Sequence, residues 1–257
     1  MNALSTLPHA LDRRVIIRAH QETVFRYFTD SARWAAWWGP GSTIDPRPGG
    51  KVYIRHPNAI EQGGEVLEVD PPRRIVFTLG FASGNPIPIG ASRVTIELAK
   101  DPAGTRLTLR HEFAEATVRD HHVQGWRYQL SVFGNVVADE VNVGAASRVD
   151  QWFAAWSEPD QAKREQILEA AVSLGVSFRD RFSLVEGLED LKPHLAAVHQ
   201  FMPGMKLLRA GEPRHCQGTV LADWTASAAD GATRAEGTTV FTLAPDGLIE
   251  SAVGFWK

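Results

Sequence analysis

The side chains able to move a proton or hold a polar ligand are few and scattered: His111, His121, His122, His194, His199 and His215, with Asp180 and Asp223 among the acids. His111 falls in the run Arg106 to Phe113, where Leu107, Leu109, His111 and Phe113 alternate onto one side of a strand. On that apolar face it could orient a ligand's oxygen or titrate near neutral pH, with a hydrogen-bonded core histidine as the first reading. His121 and His122 are adjacent on a helix, so they point about 100° apart and chelate poorly, and no metal site is expected there. Alternation over the strand-like run His215 to Ser227 puts His215 and Asp223 on one face and Trp224 on the other, which makes Trp224 the better pocket candidate. Asp180 stands between Arg179 and Arg181, where a salt-bridged structural acid is the plainest reading. Hydrolase, nucleotide and zinc-protease readings fall away because the chain has no G-x-S-x-G, P-loop, H-E-x-x-H or G-x-G-x-x-G arrangement.

These residues lie in a chain of 257, with 44% hydrophobic and 22% charged residues, which is a globular composition with room for two domains. The net charge of -3 arises from 16 Lys/Arg against 15 Asp/Glu over residues 1–140 and 11 against 15 beyond, with no basic run. Such a balance gives no electrostatic recruitment of nucleic acid or of an anionic membrane. No stretch approaches the ~18 apolar residues of a membrane span, and the start lacks an apolar core of signal-peptide length. One cysteine, Cys216, allows neither an internal disulfide nor a cysteine-rich zinc site. The expectation is a soluble, cytoplasmic protein.

Val15 to Ile17 reads as a strand and His20 to Phe28 as a helix; a short helix from Ser31 to Trp38 carries three tryptophans and stops at Gly39-Pro40-Gly41. A meander follows to about residue 113, with turns at Gly49-Gly50, Gly63-Gly64, Asp70-Pro71-Pro72 and Pro102-Ala103-Gly104. Ile75, Phe77, Leu79 and Phe81 share one face, as do Val94, Ile96 and Leu98 on their own strand, while Arg93, Thr95, Glu97, Thr108, Arg110 and Glu112 face solvent. A long helix from about Arg119 to Asp139 aligns Trp126, Leu130, Phe133 and Val137. The pattern weakens near residue 144, which sets the expected boundary between domains 1–143 and 144–257. The second half gives helices over Arg148–Trp156, Gln161–Leu174 and Leu188–Gln200, a strand over Ser177–Phe182, and then strands Lys206–Ala210, His215–Ser227, Thr233–Ala244 and Leu248–Trp256. Each half is α+β.

The order strand, helix, tryptophan-rich helix, meander, long helix, with Ala35-Ala36-Trp37-Trp38-Gly39-Pro40 and Gly125-Trp126, resembles the SRPBCC (START-like) superfamily over about residues 10–140. Within it the chain is most similar to bacterial relatives of the heat-shock-90 ATPase activator. The resemblance implies a helix-grip fold with a cavity between sheet and long helix, and a chaperone as a candidate partner. Trp38, Phe77, Phe81, His111, Phe113, Trp126 and Leu130 are the candidate ligand-binding residues. Core packing is the first reading of these rings and a pocket for an apolar ligand the second.

The second half, with Trp152-Phe153-Ala154-Ala155-Trp156, Phe178-Arg179-Asp180, Phe201-Met202-Pro203-Gly204 and Asp246-Gly247-Leu248-Ile249, resembles the nuclear transport factor 2-like superfamily, nearest its SnoaL-like polyketide-cyclase branch. This implies a cone-shaped α+β barrel around one pocket, with Trp152, Trp156 and Trp224 as lining, and a homodimer through the C-terminal domain. By likeness to steroid-isomerase-like members, Asp180 occupies the catalytic-base position, with His215 or a water as its proton partner and no metal or organic cofactor. The chain departs at both expected oxyanion donors, where Trp152/Trp156 and Thr239 stand instead. The leading functional expectation is binding of a small hydrophobic or aromatic molecule, the next a cofactor-independent cyclase or isomerase, the third a chaperone-linked interaction role.

Overall fold

In the computed structural model, which describes residues 6–257, the chain divides into two compact units, up to Val137 and from Ala138 onward. That division falls inside a helix whose backbone continues unbroken to Val141. Among the described residues no helix is long and apolar enough to cross a membrane.

The first unit is a seven-stranded antiparallel sheet with three helices. Its elements are β1 (His9–Ile17), α1 (Gln21–Arg26), α2 (Ser31–Trp38), β2 (Thr43–Ile44), β3 (Lys51–Arg55), β4 (Glu61–Asp70), β5 (Arg74–Phe81), β6 (Ser92–Asp101), β7 (Gly104–Phe113) and α3 (Ala116–Val141), in sheet order β1-β7-β6-β5-β4-β3-β2. The alternation expected across β5, β6 and β7 is observed. Phe77 pairs with Val94 and Val94 with His111, Ile75 with Ile96 and Ile96 with Leu109, and all six are buried. The stripe Trp126, Leu130, Phe133 and Val137 of α3 is buried too, and Phe133 packs against Tyr27, Phe28 and Trp37. The opposite sheet face carries a ladder of ion pairs, Arg74–Glu97, Arg93–Glu112 and Arg110–Asp12. Beneath these long side chains Thr95, expected at solvent, is buried.

Two further sequence expectations fail here for identifiable reasons. β1 begins at His9 and not Val15, because its edge pairing with β7 places Asp12 and Arg14 outward while Leu11 is buried. Gly63-Gly64, expected as a turn, lies within β4: a Cβ on Gly64 would stand 1.8 Å from the Thr78 carbonyl oxygen, so the glycine serves close strand approach.

The second unit contains α4 (Ala145–Ser157), α5 (Gln161–Ala171), β8 (Val172–Arg179), β9 (Leu184–Glu186), α6 (Leu188–Phe201), β10 (Lys206–Cys216), β11 (Thr219–Ser227), β12 (Thr233–Leu243) and β13 (Ile249–Trp256). Its six strands run β10-β11-β12-β13-β8-β9, antiparallel except for the parallel β13–β8 pair, so the sheet is mixed. The run from His215 to Ser227 is not one strand. Gln217 takes positive φ and Gly218 follows, making a hairpin turn that leaves His215 on β10 and Asp223 on β11. Gly211-Glu212-Pro213, expected as a turn, is instead a bulge within β10. Both halves are thus α+β, each with its own sheet.

Candidate functional site

The first unit holds an open cavity of about 760 Å³ whose wall comes from four pieces of chain. Trp38 closes α2; His56, Pro57, Asn58 and Ile60 come from the β3–β4 hairpin and Gln62 from β4; Leu79 and Phe81 come from β5. Beyond β5 the chain doubles back, the Phe81 N–H donating to the Ile87 carbonyl at 2.9 Å, and so brings Asn85 and Pro86 to the wall. From α3 come His121, His122, Gly125, Trp126, Tyr128 and Gln129, the i, i+3, i+4 set of one helix face. The wall is predominantly apolar and contains no Asp, Glu, Lys or Arg. Gly125 matters to its volume, since a Cβ there would meet nothing within 4 Å.

His111 lies behind this wall at 0% exposure. The Trp126 Nε1–H, which can only donate, reaches His111 Nδ1 at 2.9 Å, so Nδ1 accepts and the proton of the neutral ring sits on Nε2. From Nε2 it donates to Ser92 Oγ at 2.8 Å, and Ser92 donates to the Leu79 carbonyl at 2.7 Å. Every hydrogen-bonding atom of this imidazole is used within the protein. Burial, and secondarily the neighbouring His122, drive its pKa well below the usual histidine range. His111 therefore acts by fixing Trp126, whose indole does line the cavity.

His122 differs. Its Nδ1 lies 2.8 Å from the Val118 carbonyl, one turn back on α3, so Nδ1 donates and the lone pair of the neutral ring is on Nε2. Its ring packs on those of Phe113, His111 and Phe81, at centroid distances of 4.8, 5.3 and 5.9 Å, and burial lowers its pKa. Across the cavity His56 Nε2 is 3.1 Å from Gln62 Oε1. Gln129 is held by a hydrogen bond from its Nε2 to the Trp37 carbonyl. Trp38 stacks on Trp37 with its Nε1 buried and without a hydrogen-bond partner.

Of the residues expected to bind a ligand, the cavity wall therefore includes Trp38, Phe81 and Trp126. Phe77, His111, Phe113 and Leu130 belong to the packed interior behind it. His56, Gln62, Gly125 and Gln129 were missed, because hairpin and helix polar residues of this kind carry no pattern of their own. Gly125 had a signal in standing beside Trp126 in a helix interior, where glycine is unfavourable by roughly 1 kcal/mol relative to alanine.

In the second unit Trp152, Trp156 and Trp224 lie in the buried cluster with Phe178, Phe241 and Leu195. Trp224, Gly237 and Trp256 are lateral neighbours on β11, β12 and β13, and the two indoles meet at 5.2 Å over the glycine. A Cβ on Gly237 would stand 2.3 Å from Trp224 Cζ2, so only glycine admits this contact. Asp180 lies just past β8 in the turn to β9, with Oδ1 accepting the Phe182 N–H at 2.8 Å and Oδ2 the Trp256 Nε1–H at 3.0 Å. His215 accepts the Gly218 N–H at Nε2 and faces Asp139 from Nδ1 at 3.4 Å. β10 and β8 are separated in the sheet by three strands, and the two residues share no partner. Around His194, Trp156 and Phe178 approach to 5.8 and 6.1 Å, and the atoms His194 Nε2, His199 Nε2 and Trp156 Nε1 are buried without partners. Burial lowers the pKa of His194, against an opposing pull from Asp180 and Asp190.

No curated protein matches the chain. Among solved structures it is similar to a SnoaL-like family protein from Agrobacterium tumefaciens, at 26% identity and TM-score 0.42 over 46% of this chain and 98% of that one. It is also similar to a protein from Chromobacterium violaceum (25% identity, TM-score 0.42, 51% and 98% of the chains). A third is from Mesorhizobium loti (20%, 0.44, 50% and 96%). Residues 18–138, the segment that holds both the tryptophan-rich α2 and the Gly125-Trp126 pair, match the family described as activator of Hsp90 ATPase homolog 1-like protein.

Proposed function

We propose that this protein binds a small, predominantly apolar molecule in the cavity of its first unit, which we take to be a helix-grip domain of the START-like kind. The observation that carries the reading is the cavity itself: about 760 Å³, walled by Trp38, Trp126, Leu79 and Phe81 together with uncharged polar side chains and histidines such as Gln62, Gln129 and His122. That size and lining are those of a small-molecule site. The second unit, read as a cone-shaped nuclear transport factor 2-like domain, is assigned no reaction, since both oxygens of Asp180 are occupied by hydrogen bonds within the protein.

The test is native mass spectrometry of the protein purified from its own host, followed by denaturing release of any retained compound. A stoichiometric apolar molecule is expected in the parent protein and none in Gly125→Leu. The leucine fills open space and removes a helix-interior glycine, so it should block the cavity while raising stability by roughly 0.5–1 kcal/mol. A parent protein that emerges empty overturns the reading. The matched family's name also supports a chaperone interaction carried by the surface of this unit; Gly125→Leu would leave that interaction unaffected.

A further inference from the structure

We infer that the cavity selects an uncharged ligand bearing a hydroxyl group, which donates its proton to His122 Nε2. The inference rests on the cavity being a binding site and names the class of its occupant.

Sixteen residues line the cavity and none is Asp, Glu, Lys or Arg. The chain does not lack charge in this unit: the opposite face of the same sheet carries Asp12, Glu68, Arg74, Arg93, Glu97, Arg110 and Glu112. An ionised group drawn into the cavity would lose hydration and find no Asp, Glu, Lys or Arg to pair with, a cost to carboxylates and ammonium groups alike. A neutral polar group has partners, and their chemistry is specified. Val118's carbonyl can only accept, so it fixes the proton of neutral His122 on Nδ1 and turns Nε2 into an acceptor. The facing imidazole of His111 cannot supply a proton to it, since His111 gives its own to Ser92 and receives one from Trp126. Of the buried glutamines of the wall, Gln62 has its Oε1 engaged by His56 and Gln129 gives its Nε2 to the Trp37 carbonyl. The polar demand at His122 is thus for a donor. The aromatic surfaces of Trp38, Trp126 and Phe81 suit a flat apolar body, and a hydroxyl on that body is the neutral group that meets the demand.

Four probes sharing one ring system separate the possibilities: pyrene, hydroxypyrene, pyrene carboxylate and pyrene methylammonium, each titrated into the full chain at neutral pH and read by energy transfer from tryptophan. Hydroxypyrene should bind about 3- to 10-fold more tightly than pyrene, the span of one added hydrogen bond, and both charged probes more weakly than pyrene. His122→Phe keeps an aromatic ring against Phe81 and Phe113 and should bring hydroxypyrene down to the affinity of pyrene. His122→Gln retains an acceptor oxygen and should keep the preference, which also guards against a folding defect at this position. Hydroxypyrene binding no better than pyrene, a preference that survives His122→Phe, or tightest binding by a charged probe would each overturn the inference while leaving the cavity a binding site. Failure of all four probes would overturn both.

Discussion

The two units differ in how they hold a histidine among aromatic rings, though each also carries an unpartnered buried indole N–H, Trp38 in the first and Trp156 in the second. In the first, a completely buried histidine is tied into a continuous chain, Trp126 to His111 to Ser92 to the Leu79 carbonyl, with a cavity left open beside it. In the second, aromatic rings fill the interior around Trp152, Phe178 and Phe241, and buried atoms of Trp156, His194 and His199 have no partner. A satisfied network fixes one arrangement of its members, whereas unpaired groups in a filled core lower stability without specifying a geometry. The first pattern is what holding a shaped wall requires.

The largest effect expected from this contrast is at His111. His111→Ala removes a ring at 0% exposure and strands the Trp126 N–H, so urea unfolding should show a loss of about 3–5 kcal/mol, the range for deleting buried rings. Next is a matched pair. Trp126→Phe and Trp156→Phe remove the same volume, but the first leaves His111 Nδ1 without its donor while the second deletes a donor that had no partner. Trp126→Phe should therefore cost about 1–3 kcal/mol more than Trp156→Phe; equal costs would dissolve the contrast. The smallest effect is with pH. His111 resists protonation when folded but takes a proton near its ordinary 6.5 when unfolded, so the unfolded chain binds more protons below that value. The stabilisation from keeping His111 neutral is complete above pH 6.5 and declines as pH falls, by at most about 1.4 kcal/mol per pH unit. His111→Gln should flatten that slope in a urea–pH series.

The alternation of β5, β6 and β7 and the stripe on α3 were legible because each residue's face follows from local geometry alone. The α2 stop at Gly39 and the place of His111 on an apolar face were legible for the same reason. Less visible was the hairpin at Gln217-Gly218: glutamine is not a residue that announces positive φ, so the end of β10 reads as continuous with β11 over His215–Ser227, which puts His215 on a face with Asp223. Gly63-Gly64 misled in the other direction, since glycine marks both turns and close strand approach, and only the position of Thr78 decides which. Of the cavity, Trp38, Phe81 and Trp126 were legible through their aromatic spacing. His56, Gln62 and Gly125 stayed hidden because each acts through a neighbour distant in the chain or through space left empty.

By itself the sequence determined the main helices and strands of each half, the apolar faces they bury and the absence of a charge pattern for nucleic acid, because all of these depend on residue type and periodicity. The tertiary structure alone decided which nitrogen of His111 and His122 carries the proton, that Asp180 serves a turn and the Trp256 indole, and that a cavity without charged residues opens beside Gly125. Those properties belong to partners brought together across dozens of residues, and hydrogen-bond direction and empty volume have no signature in a linear string.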